Sequence, residues 1–147
     1  MKKALPPTYF LLAIVSMTLL HFAWPTGRYW DFPLNLVGLL PLAVGIILNL
    51  VADRQFKRHQ TTVKPFAESS ALITTFPFSI TRNPMYLGLT LVLLGLALLL
   101  GTILPLVPTV VFPLLMDLRF IRVEERMLAE SFGSEWEKYR TRVRRWV

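Results

Sequence analysis

The chain has 147 residues, 54% of them hydrophobic and 17% charged, with 10 Phe and 4 Trp, a mixture too oily for an ordinary soluble domain of that length and suited to an integral membrane protein. Cysteine is absent, which excludes disulfides, thiolate nucleophiles and cysteine metal sites, and His21 and His59 stand too far apart in sequence to suggest a metal-ligand pair. The net charge of +7 comes from basic residues that flank apolar runs, a pattern that points to anionic lipid headgroups and away from nucleic acid.

Met1-Lys2-Lys3 ahead of an apolar run has the form of a signal peptide, but Trp24-Pro25 follows and no small-residue cleavage site closes the run. An uncleaved first span over residues 8–24 is therefore predicted. A polar connector with aromatic anchors, Thr26-Gly27-Arg28-Tyr29-Trp30-Asp31, leads to a second span over 34–52. Pro41, Gly45 and Asn49 lie within it, and the small residues and the amide favour close packing against another helix. Residues 53–64 are basic and non-apolar. Residues 65–80, with Pro65, Pro77 and five Ser or Thr, are too polar and broken to span, and are expected to form a loop folded against the membrane face.

The next stretch, Thr81-Arg82-Asn83-Pro84-Met85-Tyr86-Leu87-Gly88, runs from a charged turn straight into an apolar segment. Pro84 suits the first turn of a helix, where backbone N–H groups lack intrahelical partners and the ring presets φ. A helix starting there would turn its N–H groups and positive dipole end toward Arg82 and Asn83, a place for a carboxylate or another electron-rich group. A capped membrane helix with a snorkelling arginine fits the same residues.

A third apolar segment covers 85–100, Gly101-Thr102 makes a turn, and a fourth covers 103–118 with Pro105, Pro108 and Pro113. Both are shorter than the roughly 20 residues of a standard span, so a tight hairpin, tilted or kinked, is predicted. The whole is one all-α domain over 1–147, a polytopic membrane protein of about four spans with a C-terminal amphipathic helical segment. Its two N-terminal spans lie within 1–52 and its motif-bearing half within 64–146. With four spans, 15 of the 16 Lys and Arg fall on one side and Arg28 alone on the other. The positive-inside rule then puts both termini and Arg82 in the cytoplasm. Single cysteines introduced at Thr26 and at Ser134 should label from opposite sides of the membrane, and labelling from the same side would overturn the four-span arrangement.

From residue 119 on, projection at about 100° per residue separates two faces. Asp117, Phe120, Ile121, Glu124, Leu128, Ser131 and Phe132 share one, while Arg119, Arg122, Arg126 and Glu130 share the other. Glu124 sits in the middle of the apolar face, where a carboxylate is costly unless it has a cationic partner. Glu125 lies nearer the edge and reads as a solvated charge. Asp117, on the Glu124 face, is a candidate to accept a proton or hold a cationic amine, or is a helix-end carboxylate at the interface. Phe132-Gly133 reads as a helix stop, and Ser134 with Glu137 as a capping box opening a last short helix at the membrane surface, with Trp136, Tyr139 and a run of arginines up to Trp146.

Two of these features together resemble the integral-membrane methyltransferases that include isoprenylcysteine carboxyl methyltransferase and the bacterial phospholipid N-methyltransferases. The first is the family's Arg-His/Asn-Pro-x-Tyr-x-Gly motif, matched by Arg82-Asn83-Pro84-Met85-Tyr86-Leu87-Gly88. The second is its Glu-Glu pair followed by Leu, Phe-Gly and spaced tyrosines, matched by Glu124-Glu125, Leu128, Phe132-Gly133 and Tyr139. The resemblance covers roughly residues 64–146.

It implies an enzyme that binds S-adenosylmethionine without a Rossmann domain and methylates a lipidic acceptor, either an isoprenylcysteine carboxylate or a phospholipid amine. By the same likeness Asn83, Pro84, Met85 and Tyr86 line the cofactor pocket and Glu124 meets the cofactor's ammonium or ribose; Arg82, Glu124 and Asp117 are the expected catalytic residues. The family's His-x-Leu-Val-x-x-Gly-x-Tyr segment becomes Ser70-Ala71-Leu72-Ile73, then Phe76 and Phe78, which keeps apolar and aromatic contacts to the cofactor but loses a histidine and a hydroxyl. Family enzymes acting on prenylcysteine carboxylates carry an arginine four residues before the glutamate. Phe120 stands there, and Arg119 projects to the opposite face, which turns the expectation toward an amine or neutral hydroxyl acceptor.

Methyl transfer needs no covalent nucleophile, in keeping with a chain that has no Cys and no Ser/His/Asp constellation. A small non-enzymatic membrane scaffold or lipid-binding subunit is the contrasting reading. Sterol reductases resemble the family in their C-terminal helices but use many more spans and a nicotinamide site.

Overall fold

The computed structural model describes residues 5–25, 27–61 and 70–147. The expectations for residues 1–3, Thr26 and 64–69 fall outside them. Among the described residues the protein is all-α: α1 (Pro6–Ala23), α2 (Leu39–Arg58) entered through a 3₁₀ turn (Leu34–Gly38), α3 (Pro84–Leu100), α4 (Leu106–Met116) and α5 (Arg122–Arg142), with a π-helical turn (Asp117–Ile121) joining the last two. Extended pairing among them is confined to two isolated bridges, Arg28 with Thr102 and Thr81 with Arg144.

Two of these helical segments are long and apolar enough to cross a membrane, Pro6–Ala23 with 18 residues and Leu34–Arg58 with 25. The expectation of four such spans is corrected to that extent, and the cause lies in the turns. Gly101 adopts a left-handed conformation (φ 69°) that ends α3 after 17 residues. Pro105 caps α4, which therefore starts three residues later than expected and has 11 residues. At its other end α4 does not stop, because the π turn carries the helix on into polar sequence. The outward faces of α1, α2 and α4 are apolar, with Leu12, Leu40 and Leu114 each more than half exposed, the kind of surface that faces lipid or a partner.

α1 leans on α4. Ala13 and Met17 are buried with Phe112, Met116, Phe120 and Ile121, and with Leu93 and Ala97 of α3. Edge-to-face ring contacts, Tyr9 with Phe120 at 5.7 Å and Phe10 with Phe112 at 6.1 Å, fix the approach. α2 and α3 lie antiparallel with glycines in apposition. A Cβ on Gly38 would sit 2.5 Å from the Gly95 carbonyl oxygen, and one on Gly45 would sit 2.5 Å from that of Gly88. The backbones thus touch directly at both places, the small-residue packing that substitutes for a hydrophobic driving force between helices in lipid.

At the end of the bundle where α3 turns into α4, the connector is tied down by polar bonds. Tyr29 donates its hydroxyl to the Ala97 carbonyl and Asn35 its amide to that of Leu99, each at 2.9 Å. His21 Nδ1 lies 2.9 Å from the Thr102 hydroxyl. The opposite end carries the motif, the 70–80 segment and the C-terminal residues.

Candidate functional site

Arg82, Asn83 and Pro84 sit where the 70–80 segment meets α3. Asn83 is the residue before the helix and Pro84 its first turn, as the ring's fixed φ and missing N–H dictate. One turn on, Tyr86 faces α5, and its hydroxyl donates to Glu124 Oε1 at 2.8 Å. Phe120 packs beside Tyr86 with centroids 6.5 Å apart, so Phe120 and Glu124, one turn apart, present one face to the motif helix.

The neighbouring carboxylate is not solvated. Glu125 is bonded through Arg145 Nη2 at 2.6 Å and Arg145 Nε at 3.2 Å, and pairs with Arg82 Nη2 at 3.2 Å. Its side chain is 13% exposed and that of Arg82 9%. This corrects the placement of Glu125 at the helix edge. A single-helix projection contains no other chain segment, and residues 143–147 run back over that edge, pairing Arg144 with Thr81. The arginine of the motif, Arg82, thus pairs with Glu125. Asp117 shares the cluster, accepting from Arg122 Nε at 2.8 Å and Arg145 Nη1 at 3.1 Å.

Two groups are left with unmet capacity. Burial raises the Glu124 carboxyl above its usual range, an effect the Tyr86 hydrogen bond only partly offsets. Glu124 faces the Tyr86 hydroxyl, whereas two guanidinium groups meet Glu125. Arg82 is the other: its guanidinium lies over the Trp136 ring at 5.5 Å, and its Nε and Nη1 are buried without a hydrogen-bond partner among the described residues. Burial pushes the Arg82 pKa down, partly countered by Glu125.

Beneath this polar layer lies an aromatic floor. Ile73, Phe78, Trp136, Tyr139 and Val143 are buried with Ala52 of α2, and Leu72 and Met85 pack against them. Tyr139 donates its hydroxyl to the Phe78 carbonyl at 2.7 Å. The helix does break at Gly133 (φ 48°, ψ −115°), and the segment beyond it folds back so that Trp136 and Tyr139 are buried in protein, where a free surface helix was expected. Among the residues expected to contact a cofactor, Leu72, Ile73, Phe78, Asn83, Pro84, Met85, Tyr86 and Glu124 gather at this end. Ser70 instead bonds the turn that follows α2, its amide to Thr61 Oγ1 at 3.1 Å and its hydroxyl to the Gln60 carbonyl at 3.3 Å, and Ala71 adjoins it. Sequence reasoning missed Glu125 and Arg145 as members of the cluster, and the only signal for Arg145 was the basic run that contains it.

Residues 34–135 match the phospholipid methyltransferase family. The chain belongs to that family. The matched stretch takes in α2, the motif, Glu124-Glu125 and Gly133, and ends before Arg145. An uncharacterized protein of Haemophilus influenzae is 40% identical over 63 residues, 43% of this chain and the whole of that relative. No solved structure matches. Family membership supports a methyltransferase that acts on lipid.

Proposed function

We propose that the protein transfers a methyl group from S-adenosylmethionine to a lipid headgroup at the cytoplasmic membrane face, with an amine the favoured acceptor. The observation that carries this reading is the contrast within Glu124-Glu125, in which one carboxylate is matched by two arginines and the other, half-buried, has a tyrosine hydroxyl as its partner. A desolvated carboxylate without a cation favours a positively charged ligand strongly. When bound, S-adenosylmethionine supplies an electrophilic methyl group on a sulfonium. The residues that suit it are Glu124 for its cationic amine, Asn83 and Tyr86 for polar contacts, and the Phe78 and Met85 side for apolar ones.

The remaining work falls to the protein's own groups, which hold donor and acceptor in line and exclude water. Arg82 offers two buried donors, Nε and Nη1, suited to an oxygen of an acidic headgroup. Phe120 is 2% exposed and packs against Tyr9 and Tyr86 at the position where a carboxylate-reading arginine would stand, which favours a phospholipid amine over a prenylcysteine carboxylate. A cytoplasmic position for both termini and Arg82, which the gathering of basic residues outside the Arg28 connector favours, gives this machinery access to a soluble cofactor.

Titration calorimetry on the purified protein in detergent should show binding of both S-adenosylmethionine and S-adenosylhomocysteine. Absence of binding to either would remove the enzymatic reading and promote a membrane scaffold in its place.

A further inference from the structure

Arg145 joins three segments that are remote in the chain. Its guanidinium spans two carboxylates, Glu125 on α5 through Nη2 at 2.6 Å and Asp117 on the π turn through Nη1 at 3.1 Å. Its backbone carbonyl accepts from the Thr81 hydroxyl and from Asn83 Nδ2, both at 3.1 Å. The adjoining carbonyl of Arg144 accepts the Arg82 backbone N–H at 3.0 Å. α5 has ended by then, since Val143 is extended (φ −118°, ψ 130°), so no helical hydrogen bonds hold residues 144–147 in place. What holds them is this set of bonds, together with Trp146 packed against the core shared by α1, α3 and α4.

The charges make the arrangement specific. Two carboxylates at a helix junction repel, and one planar guanidinium with donors on two edges bridges both in a way an ammonium cannot, while Arg82 on Glu125 and Arg122 on Asp117 supply further positive charge. Neutralising Glu125 also leaves Glu124 as the carboxylate of the pair that is open to a cationic ligand.

We propose that Arg145, outside the residues matched to the family, is a positioning residue that latches the C-terminal segment across Asp117 and Glu125 and thereby holds Thr81, Arg82 and Asn83 against α5 in the binding arrangement. Its effect on ligand binding rests on the methyltransferase reading, while its effect on the motif does not. Arg145 acts through the groups it holds and touches no ligand itself.

The test pairs two measurements on the full chain in detergent, with Arg126→Gln, an exposed charge on α5, as the control. Without ligand, amide exchange in the peptide carrying residues 81–83 should accelerate about tenfold or more in Arg145→Gln and stay unchanged in Arg126→Gln, because the Arg82 amide loses the carbonyl that protects it. With ligand, the Kd for S-adenosylhomocysteine should rise about tenfold or more in Arg145→Gln, as expected when a site is held out of position, and Arg145→Lys should recover part of that loss. Unchanged exchange in Arg145→Gln overturns the latch. So does a variant that melts lower yet binds with wild-type affinity, since that is a clamp with no bearing on the site. Should Arg145→Gln not fold, Arg145→Lys decides: intermediate losses in both readouts support the latch, and wild-type values in both overturn it. Wild-type protein that binds no S-adenosylhomocysteine would count against the proposed function alone, and the exchange result would still decide the latch.

Discussion

Glu125→Gln is expected to destabilise the protein by about 3 kcal/mol or more, the effect of removing one partner from a buried charge cluster. The loss is large because Arg82, 9% exposed, would be left with a buried guanidinium whose Nε and Nη1 already lack partners among the described residues, and Arg145 would keep Asp117 alone of its two carboxylates described above. Equilibrium unfolding in mixed detergent micelles reads the change directly. A loss below about 1 kcal/mol, the range of an exposed pair, would show that the cluster is open to water and that Glu125 is the solvated charge its helix position alone suggests.

Glu124→Gln should do the opposite to stability and the damage to binding. Its carboxyl titrates above the ordinary value when folded, through burial, so ionising it favours the unfolded chain. That penalty is absent below the unfolded pKa, near 4.5, grows as pH climbs toward the higher folded value, and is constant beyond it. Gln carries no such penalty and still accepts the Tyr86 hydroxyl. Without ligand, the melting temperature of the variant relative to wild type should therefore rise with pH through that window. With ligand, affinity for S-adenosylhomocysteine should fall by about 1.5–3 kcal/mol, the worth of a charge-assisted hydrogen bond to the ligand amine. Equal affinity at pH 7.5 in variant and wild type would dismiss Glu124 as the cation partner, and a variant less stable than wild type at every pH would mean that its charge is paired.

The helices were legible in the sequence because long apolar segments announce themselves. Pro84 marked the start of α3 to within a residue, and Gly101 marked its end. Glu124 was also legible, since a carboxylate between Ile121 and Leu128 stands out on any helical projection. Glu125 was not, because what buries it is Arg145, twenty residues further along, and no periodicity within one helix reports a strand-like segment returning over it. The π turn was equally hidden: Asp117, Phe120 and Ile121 look like ordinary helix in sequence. Trp136 and Tyr139 look like interfacial anchors on composition alone, whereas the left-handed Gly133 swings them onto Phe78. Family membership reaches the lipid methyltransferase class through residues 34–135, and the choice of acceptor rests on local features such as Phe120.

The glycine contacts between α2 and α3 act as a ruler. Gly38 meets Gly95 and Gly45 meets Gly88, and both pairs share one antiparallel register because the spacing within each helix is seven residues. A slide of four residues, about one turn and 5–6 Å, in one direction would oppose Gly38 to Leu99 and Gly45 to Val92. In the other it would oppose them to Leu91 and Pro84. Either slide drives bulky side chains into backbone, and with no side chain of their own the glycines have nothing to rotate out of the way. The position of Arg82 along α2 is thus set by a contact that tolerates one alignment, and the motif, whose own Gly88 is one of the four, inherits a fixed reference point from it.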